Sequence, residues 1–273
     1  SNISNPGTWK LFHIGASEGN LPLQRWQAVL HSQGEVIVFF DDDTVPIPTY
    51  LESLVGVYET DTEHAVGGVG GWLIYNSPNA NLNSRWRPFR LALSGMNGKN
   101  YGMVYHGGLF AGWPTPPDGA EVDAPCLSGG AMSFRTTVLK DIGPQSWLYE
   151  LYRQKIGRGE DVILSSLVRR AGSRLVLLPK NIVIHHVGEH GSAYARLGYQ
   201  KGMADTWSRY LGCRLLSSDW NFLDWMAYLR YTIILVAFNA IRAHDINYLH
   251  GALMGLGECF FSKLPFDKAI YNP

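Results

Sequence analysis

Apolar positions change their period along this chain, and the changes mark its elements. Leu21, Leu23, Trp26, Val29 and Leu30 recur at helical spacing. Pro22 is tolerated in a first turn, so residues 21–32 are predicted to be a helix that Gly34 ends. Val36 to Phe40 is an unbroken run of β-branched and aromatic residues, which predicts a strand buried on both faces of a parallel sheet. The run stops in Asp41-Asp42-Asp43, and Pro46 and Pro48 bar a central strand from continuing. A helix over residues 49–58 comes next, and a short strand over 9–14, closed by Gly15, precedes the first helix. Strand, helix, strand, helix is the rhythm of a parallel α/β sheet.

Farther along, residues 65–75 read as a strand in which Gly67-Gly68 and Gly70-Gly71 call for a bulge or a close backbone approach. Residues 76–83 are turn-rich. Arg85, Arg87 and Arg90 fall in a stretch that reads as a solvated helical face or as a contact to phosphate. Residues 98–123 are rich in Gly and Pro, carry Tyr101, Tyr105, Phe110 and Trp113, and have no period; they read as a binding loop or a plain connection. Then come a Gly129-Gly130 turn, a strand over 131–134, and a helix over 136–141 stopped by Gly143-Pro144. Glu160-Asp161 opens an amphipathic helix that ends at Arg169-Arg170 and Gly172, with charges that complement the helix dipole. Two strands, 174–178 and 181–186, lead to His185, His186 and His190.

Beyond Ser192 the pattern turns helical. Phe222, Trp225, Met226, Leu229, Ile233, Val236, Ala237 and Ala240 form one broad apolar face. The uncharged residues 231–241 fall short of the ~20 needed to span a bilayer. They predict a buried helix or one lying in a membrane interface.

Composition narrows the picture. Lys plus Arg equals Asp plus Glu at 23 each, so no global basic field argues for nucleic acid. Cys126, Cys213 and Cys259 are dispersed and odd in number, which fits neither a disulfide framework nor a zinc site and suggests the cytoplasm. The first residues carry no basic-then-apolar signal segment. Nine Trp and fourteen Tyr suit sugar platforms and core filling equally. The sharpest chemical feature is Asp41-Asp42-Asp43 at a strand's carboxyl end, where open α/β sheets bind ligands. Carboxylates crowded there repel unless a cation sits among them, and Mg²⁺ or Mn²⁺ is the usual answer. An acidic turn capping the next helix is the plainer reading.

Taken in order, the motifs resemble the family 2 glycosyltransferases. A strand runs into Asp-x-Asp at Phe40-Asp41-Asp42-Asp43. A Gly-rich segment with a following Arg spans Leu127 to Arg135, and Gly159-Glu160-Asp161 starts a helix. His185 and the Pro22-Leu-Gln-Arg25 segment are looser matches, and the resemblance covers roughly residues 9–192. It implies a GT-A, Rossmann-like α/β fold: a mostly parallel sheet flanked by helices, here with a carboxy-terminal helical extension. The domains expected are 1–195, catalytic, and 196–273, helical. Those enzymes normally begin with a strand, a helix and a second strand that hold the nucleobase, and residues 9–14 look like their third strand. A fragment, completion by another chain, or lost base recognition are the options that follow.

The resemblance implies a metal-dependent, inverting transfer from a nucleotide-sugar to a glycan or lipid-linked acceptor, as in polysaccharide biosynthesis, and no nucleic-acid partner. Asp43 and Asp41, with His185, would hold Mn²⁺ or Mg²⁺. Asp41, Asp42, Arg25, Gly129 and Gly130 would bind the donor. Asp161 would be the general base, kept ionised by its helix N-terminus, with Glu160 orienting the acceptor. Peripheral contact at the inner face of a membrane would run through residues 222–241. A non-catalytic scaffold module is the rival reading. A nucleotidyltransferase is a weaker one, since the early Gly-rich phosphate loop it usually carries is not seen.

Overall fold

The computed structural model describes residues 19–76, 103–104, 110–111, 116–186, 198–216 and 221–261. Helix α1 (Leu21–His31) starts where the Asn20 side chain accepts the Leu23 N–H at 3.3 Å, an N-cap. Strand β1 (Val36–Phe39), the short β2 (Thr44–Pro46), helix α2 (Tyr50–Thr60) and β3 (Val66–Asn76) follow. Two-residue strands β4 (Met103–Val104) and β5 (Phe110–Ala111) pair with each other, and β6 is Val122–Asp123. A 3₁₀ turn (Gly129–Ala131) enters β7 (Met132–Arg135). Then come α3 (Thr136–Ile142), α4 (Ser146–Arg153), α5 (Glu160–Arg170) and β8 (Arg174–His186). The carboxy-terminal helices are α6 (Tyr199–Leu216), α7 (Phe222–Ala243) and α8 (Ile246–Phe261).

The sheet order is β1-β7-β3-β8-β2, with β6 also on β8. The fold is α/β with helices on both sheet faces, as expected, but the sheet is mixed rather than mostly parallel, because β7, β2 and β6 run against the strands they pair with. Among the described residues, parallel pairing is carried by β3 and β8 alone; the other pairs are antiparallel. The alternation along β8 shows why two helical layers are needed. Leu175 and Leu177 join Val29, Leu139 and Val168 from α1, α3 and α5. Val176, Leu178 and Val183 join Tyr50, Leu54 and Val57 from α2 on the opposite face. A further core joins Trp147, Leu151 and Ile163 of α4 and α5 to Trp207, Tyr228 and Cys259 of the carboxy-terminal helices.

Several local expectations change. The two strands expected at 174–178 and 181–186 are one strand, β8, whose register against β3 shifts between Gly71 and Trp72. The shift is where Gly71 approaches most closely: a Cβ there would meet the Asn181 carbonyl oxygen at 2.3 Å and the Tyr50 ring at 2.5 Å. Strand β1 is not buried on both faces. Its described neighbour is the antiparallel β7, and Val36, Ile37 and Val38 are half-buried. The broad apolar face of α7 is divided, with Tyr228, Leu235 and Val236 buried and Phe222, Met226, Ile233 and Ile241 exposed. Helix α4 was not anticipated. Among the described residues no helix is long and apolar enough to cross a membrane. The strand expected at 9–14, residues Arg85, Arg87, Arg90, Tyr101, Tyr105 and Trp113, and His190 lie outside the described residues.

Candidate functional site

The acidic segment is shaped by the turn that follows β1. The Thr44 N–H and hydroxyl both donate to the Asp41 carbonyl, at 3.2 and 2.7 Å. This turn carries the chain into β2, which pairs with the end of β8 so that Thr44 faces His185. The His186 N–H donates to the Asp43 carbonyl at 2.8 Å, and Asp43 Oδ1 then lies 2.9 Å from His185 Nε2. Ligand atoms of Asp41, Asp43 and His185 all fall within 4.8 Å of one another. Asp42 is exposed, whereas Asp41 is half-buried.

Two carboxylate oxygens and an imidazole nitrogen are a donor set that suits Mn²⁺ and also accepts Mg²⁺. The Asp43 side chain is 43% exposed, which leaves coordination positions for water or phosphate oxygens. Burial raises the Asp41 carboxyl above its ordinary range; Arg25 opposes this, while Glu160 and Asp43 add to it. A cation among these groups would restore the charged form.

The other wall is the 3₁₀ turn before β7. A Cβ on Gly130 would sit 3.1 Å from Thr44 Cγ2 and 3.2 Å from Asp41 Oδ2. One on Gly129 would sit 3.2 Å from Arg25 Nη2 and 3.4 Å from Asp161 Cβ. Glycine at both positions lets the turn wedge between the acidic segment and the start of α5. The Gly129 N–H donates to Asp161 Oδ2 at 3.1 Å, and the Val162 N–H to Asp161 Oδ1 at 2.9 Å.

Arg25 ties the two walls together. It is 8% exposed on the buried face of α1. Its Nη1 donates to Glu160 Oε1 at 2.8 Å and its Nη2 to the Gly129 carbonyl at 3.3 Å. Nη2 also lies 3.5 Å from Asp41 Oδ1, and the guanidinium stands 5.6 Å from the centre of the Phe39 ring. The structure thus brings Arg25, Asp41, Gly129, Gly130, Glu160 and Asp161 into one contiguous network, with Asp43 and His185 at its edge.

Asp161 ionises less readily than its place at a helix N-terminus implies, although near neutral pH it is still the carboxylate. Asp161 lies in the first turn of α5, yet its carboxyl is raised from 3.8 to about 6. Burial is the largest cause and the Glu160 charge adds to it, outweighing the Val162 and Gly129 N–H groups and Arg25. The helix N-terminus does not win here because the carboxylate is withdrawn from water beside a second carboxylate.

Sequence reasoning missed Tyr152, whose hydroxyl donates to Glu160 Oε2. Gly157 lets that ring pack: a Cβ there would lie 2.1 Å from Tyr152 Cδ2. The Gly157-Arg158-Gly159 spacing was the available signal, since paired glycines mark a backbone held against something close.

A model of the family described as Glycosyltransferase like family 2 matches residues 22–199. Among solved structures, the chain is similar to GalNAc-T7 with UDP, GalNAc and Mn²⁺, at 13% identity and TM-score 0.43 over 68% of this chain. It spans 34% of that protein's length. It is also similar to the mannosyltransferase PcManGT from Pyrobaculum calidifontis in complex with GDP-Man and Mn²⁺. Identity there is 15% and TM-score 0.40, over 91% of this chain and 68% of the other. A search of curated protein sequences gives no match.

Proposed function

Since the chain belongs to the glycosyltransferase-like family 2, we propose that it moves a sugar from a nucleotide-diphosphate donor to an acceptor hydroxyl, with inversion at the anomeric carbon. The observation that carries this reading is the convergence of two acidic groups on one glycine turn. Asp41, Asp43 and His185 form one, Glu160 and Asp161 the other, and Arg25 joins them. Asp41, Asp43 and His185 would hold Mn²⁺ or Mg²⁺, which when bound supplies Lewis-acid stabilisation to the departing diphosphate.

The remaining steps belong to this chain's own residues. An acceptor hydroxyl is a poor nucleophile until its proton leaves, and the Asp161 carboxylate takes that proton as the new bond forms at the anomeric carbon. The bond from that carbon to the diphosphate oxygen breaks on the opposite face. Glu160, held by Arg25 and Tyr152, orients the acceptor. Gly129 and Gly130 allow sugar rings to approach the backbone, and Asp41 and Asp42 serve the donor. Residues 1–195 would make up the catalytic unit and 196–273 the helical extension.

The test separates metal binding from turnover. Mn²⁺ titration followed by electron paramagnetic resonance should show a saturable site in the wild-type chain that Asp43→Ala abolishes. A panel of nucleotide-sugars should give metal-dependent transfer or hydrolysis, with the product anomer read by proton NMR. Equal Mn²⁺ binding by Asp43→Ala, or a product that keeps the donor's configuration, would overturn the corresponding part.

The acceptor is read as lipid-linked, met at the inner face of a membrane. The support is α7, whose exposed stripe of Phe222, Met226, Ile233 and Ile241 includes Arg230, while Asp224 is turned inward as part of the helix cap. An outward apolar face with basic rather than acidic charge suits an anionic lipid surface.

A further inference from the structure

The loop that delivers Glu160 and Asp161 is gripped by the carboxy-terminal helices. Residues 154–159 connect α4 to α5 and end in Gly157, Arg158 and Gly159, the last of which adopts the left-handed conformation (φ +74°) as the N-cap residue of α5. Its carbonyl accepts the Ile163 N–H at 3.1 Å, the first helical bond. Two glycines give this segment wide backbone freedom, and Arg158 is the side chain between them. Its guanidinium is ion-paired with Asp205 Oδ1 on α6.

Asp205 is 3% exposed, and its other oxygen accepts the Tyr248 hydroxyl of α8 at 3.0 Å. Tyr248 is fully buried, and its hydroxyl accepts the Asn239 side-chain amide of α7 at 3.0 Å. Three carboxy-terminal helices thus converge on one carboxylate whose ion-pair partner is the central residue of the catalytic loop. Lys201, one turn earlier on α6, lies in the same field: burial lowers its pKa while Asp205 opposes that. On the near side, Tyr152 packs on Gly157 and donates to Glu160. The loop is clamped between these two supports.

We infer that Asp205 is a positioning residue for the Glu160–Asp161 pair, acting through Arg158, with Tyr248 holding its carboxylate in place. The helical extension on this account is part of the transfer machinery rather than an appendage. A buried carboxylate that loses its cation disturbs its surroundings strongly; Asp205 is that carboxylate, while the Arg158 side chain is 46% exposed and couples it to the segment leading into α5. The catalytic consequence rests on the glycosyltransferase reading; the mechanical one does not.

The experiment compares Asp205→Asn, Tyr248→Phe, Arg158→Ala, Arg158→Lys and the double variant Asp205→Asn/Arg158→Ala in the full chain. Hydrogen–deuterium exchange over residues 158–164 is the primary readout. Loss of the pair should speed exchange there by about 10-fold or more. Tyr248→Phe should do so to a smaller degree, and Arg158→Lys should restore part of the protection. The double variant should be no worse than either single one, because both break the same link. Where transfer is measured, kcat should fall by about 10- to 100-fold, with donor KM and Mn²⁺ affinity unchanged. Unchanged exchange at 158–164 in both Asp205→Asn and Tyr248→Phe overturns the proposal, as does a fully additive double variant. Should Asp205→Asn fail to fold, Tyr248→Phe and Arg158→Lys decide the matter alone. A failed glycosyltransferase reading shows instead as no turnover by the wild-type chain, with the exchange result standing.

Discussion

Asp161→Asn tests the electrostatics of the site more directly than any activity measurement. In the folded chain the Asp161 carboxyl is raised from its ordinary 3.8 to about 6. A group with a raised folded pKa stabilises the fold below its unfolded pKa and loses that contribution as pH rises through the folded one. The window is therefore pH 4 to 6, with stability falling as pH rises. The difference corresponds to about 3 kcal/mol at most between pH 4 and pH 7. Asparagine cannot ionise, so its hydrogen-bonding cost is a constant offset across the window. Urea unfolding of both proteins at half-unit pH steps from 4 to 7 isolates the titrating part. The stability of the wild type relative to Asp161→Asn should drop by about 2–3 kcal/mol over that range, with equal m-values. Transfer should fall by about 10²–10⁴-fold in the variant, and wild-type transfer should lose rate as pH drops through about 6. A flat difference profile would refute the burial argument. A difference that grows in favour of the wild type with rising pH would mean the helix N-terminus prevails after all.

Arg25→Met should destabilise the fold by about 3–5 kcal/mol in urea, because Glu160 and Asp41 would then face each other without a buried cation. Gly71→Ala should cost about 1–3 kcal/mol, since its Cβ would meet the Asn181 carbonyl oxygen at 2.3 Å and the backbone must shift; unchanged thermal melting would show that the sheet yields more easily than close packing allows. Ile233→Glu on α7 should abolish flotation with anionic liposomes at low salt while leaving the urea midpoint nearly unchanged, because Ile233 is 55% exposed. Wild-type chain that stays off the liposomes would remove the membrane contact from the functional reading.

Some features were legible in sequence because their causes are local. The apolar period and Pro22 sufficed for α1, and Gly34 for the end of that segment. The acidic first turn and basic last turn marked α5 within a residue of its observed ends. Asp41-Asp42-Asp43 announced itself by mutual repulsion at the end of an apolar run. Five outcomes depended on tertiary structure, because each is set by groups far apart in the chain. Arg25 meets Glu160 across 135 positions, and no window of sequence contains both. His185 reaches Asp43 only because β2 pairs with β8 in one register; a shift by one residue would turn it to the other face. The half-burial of β1 and the divided face of α7 follow from which neighbour each element has, which an apolar count does not encode. The upward shift of the Asp161 carboxyl is the clearest case. Its place in a first helical turn was readable and argued for easy ionisation, but the desolvation that opposes this comes from the packing around it.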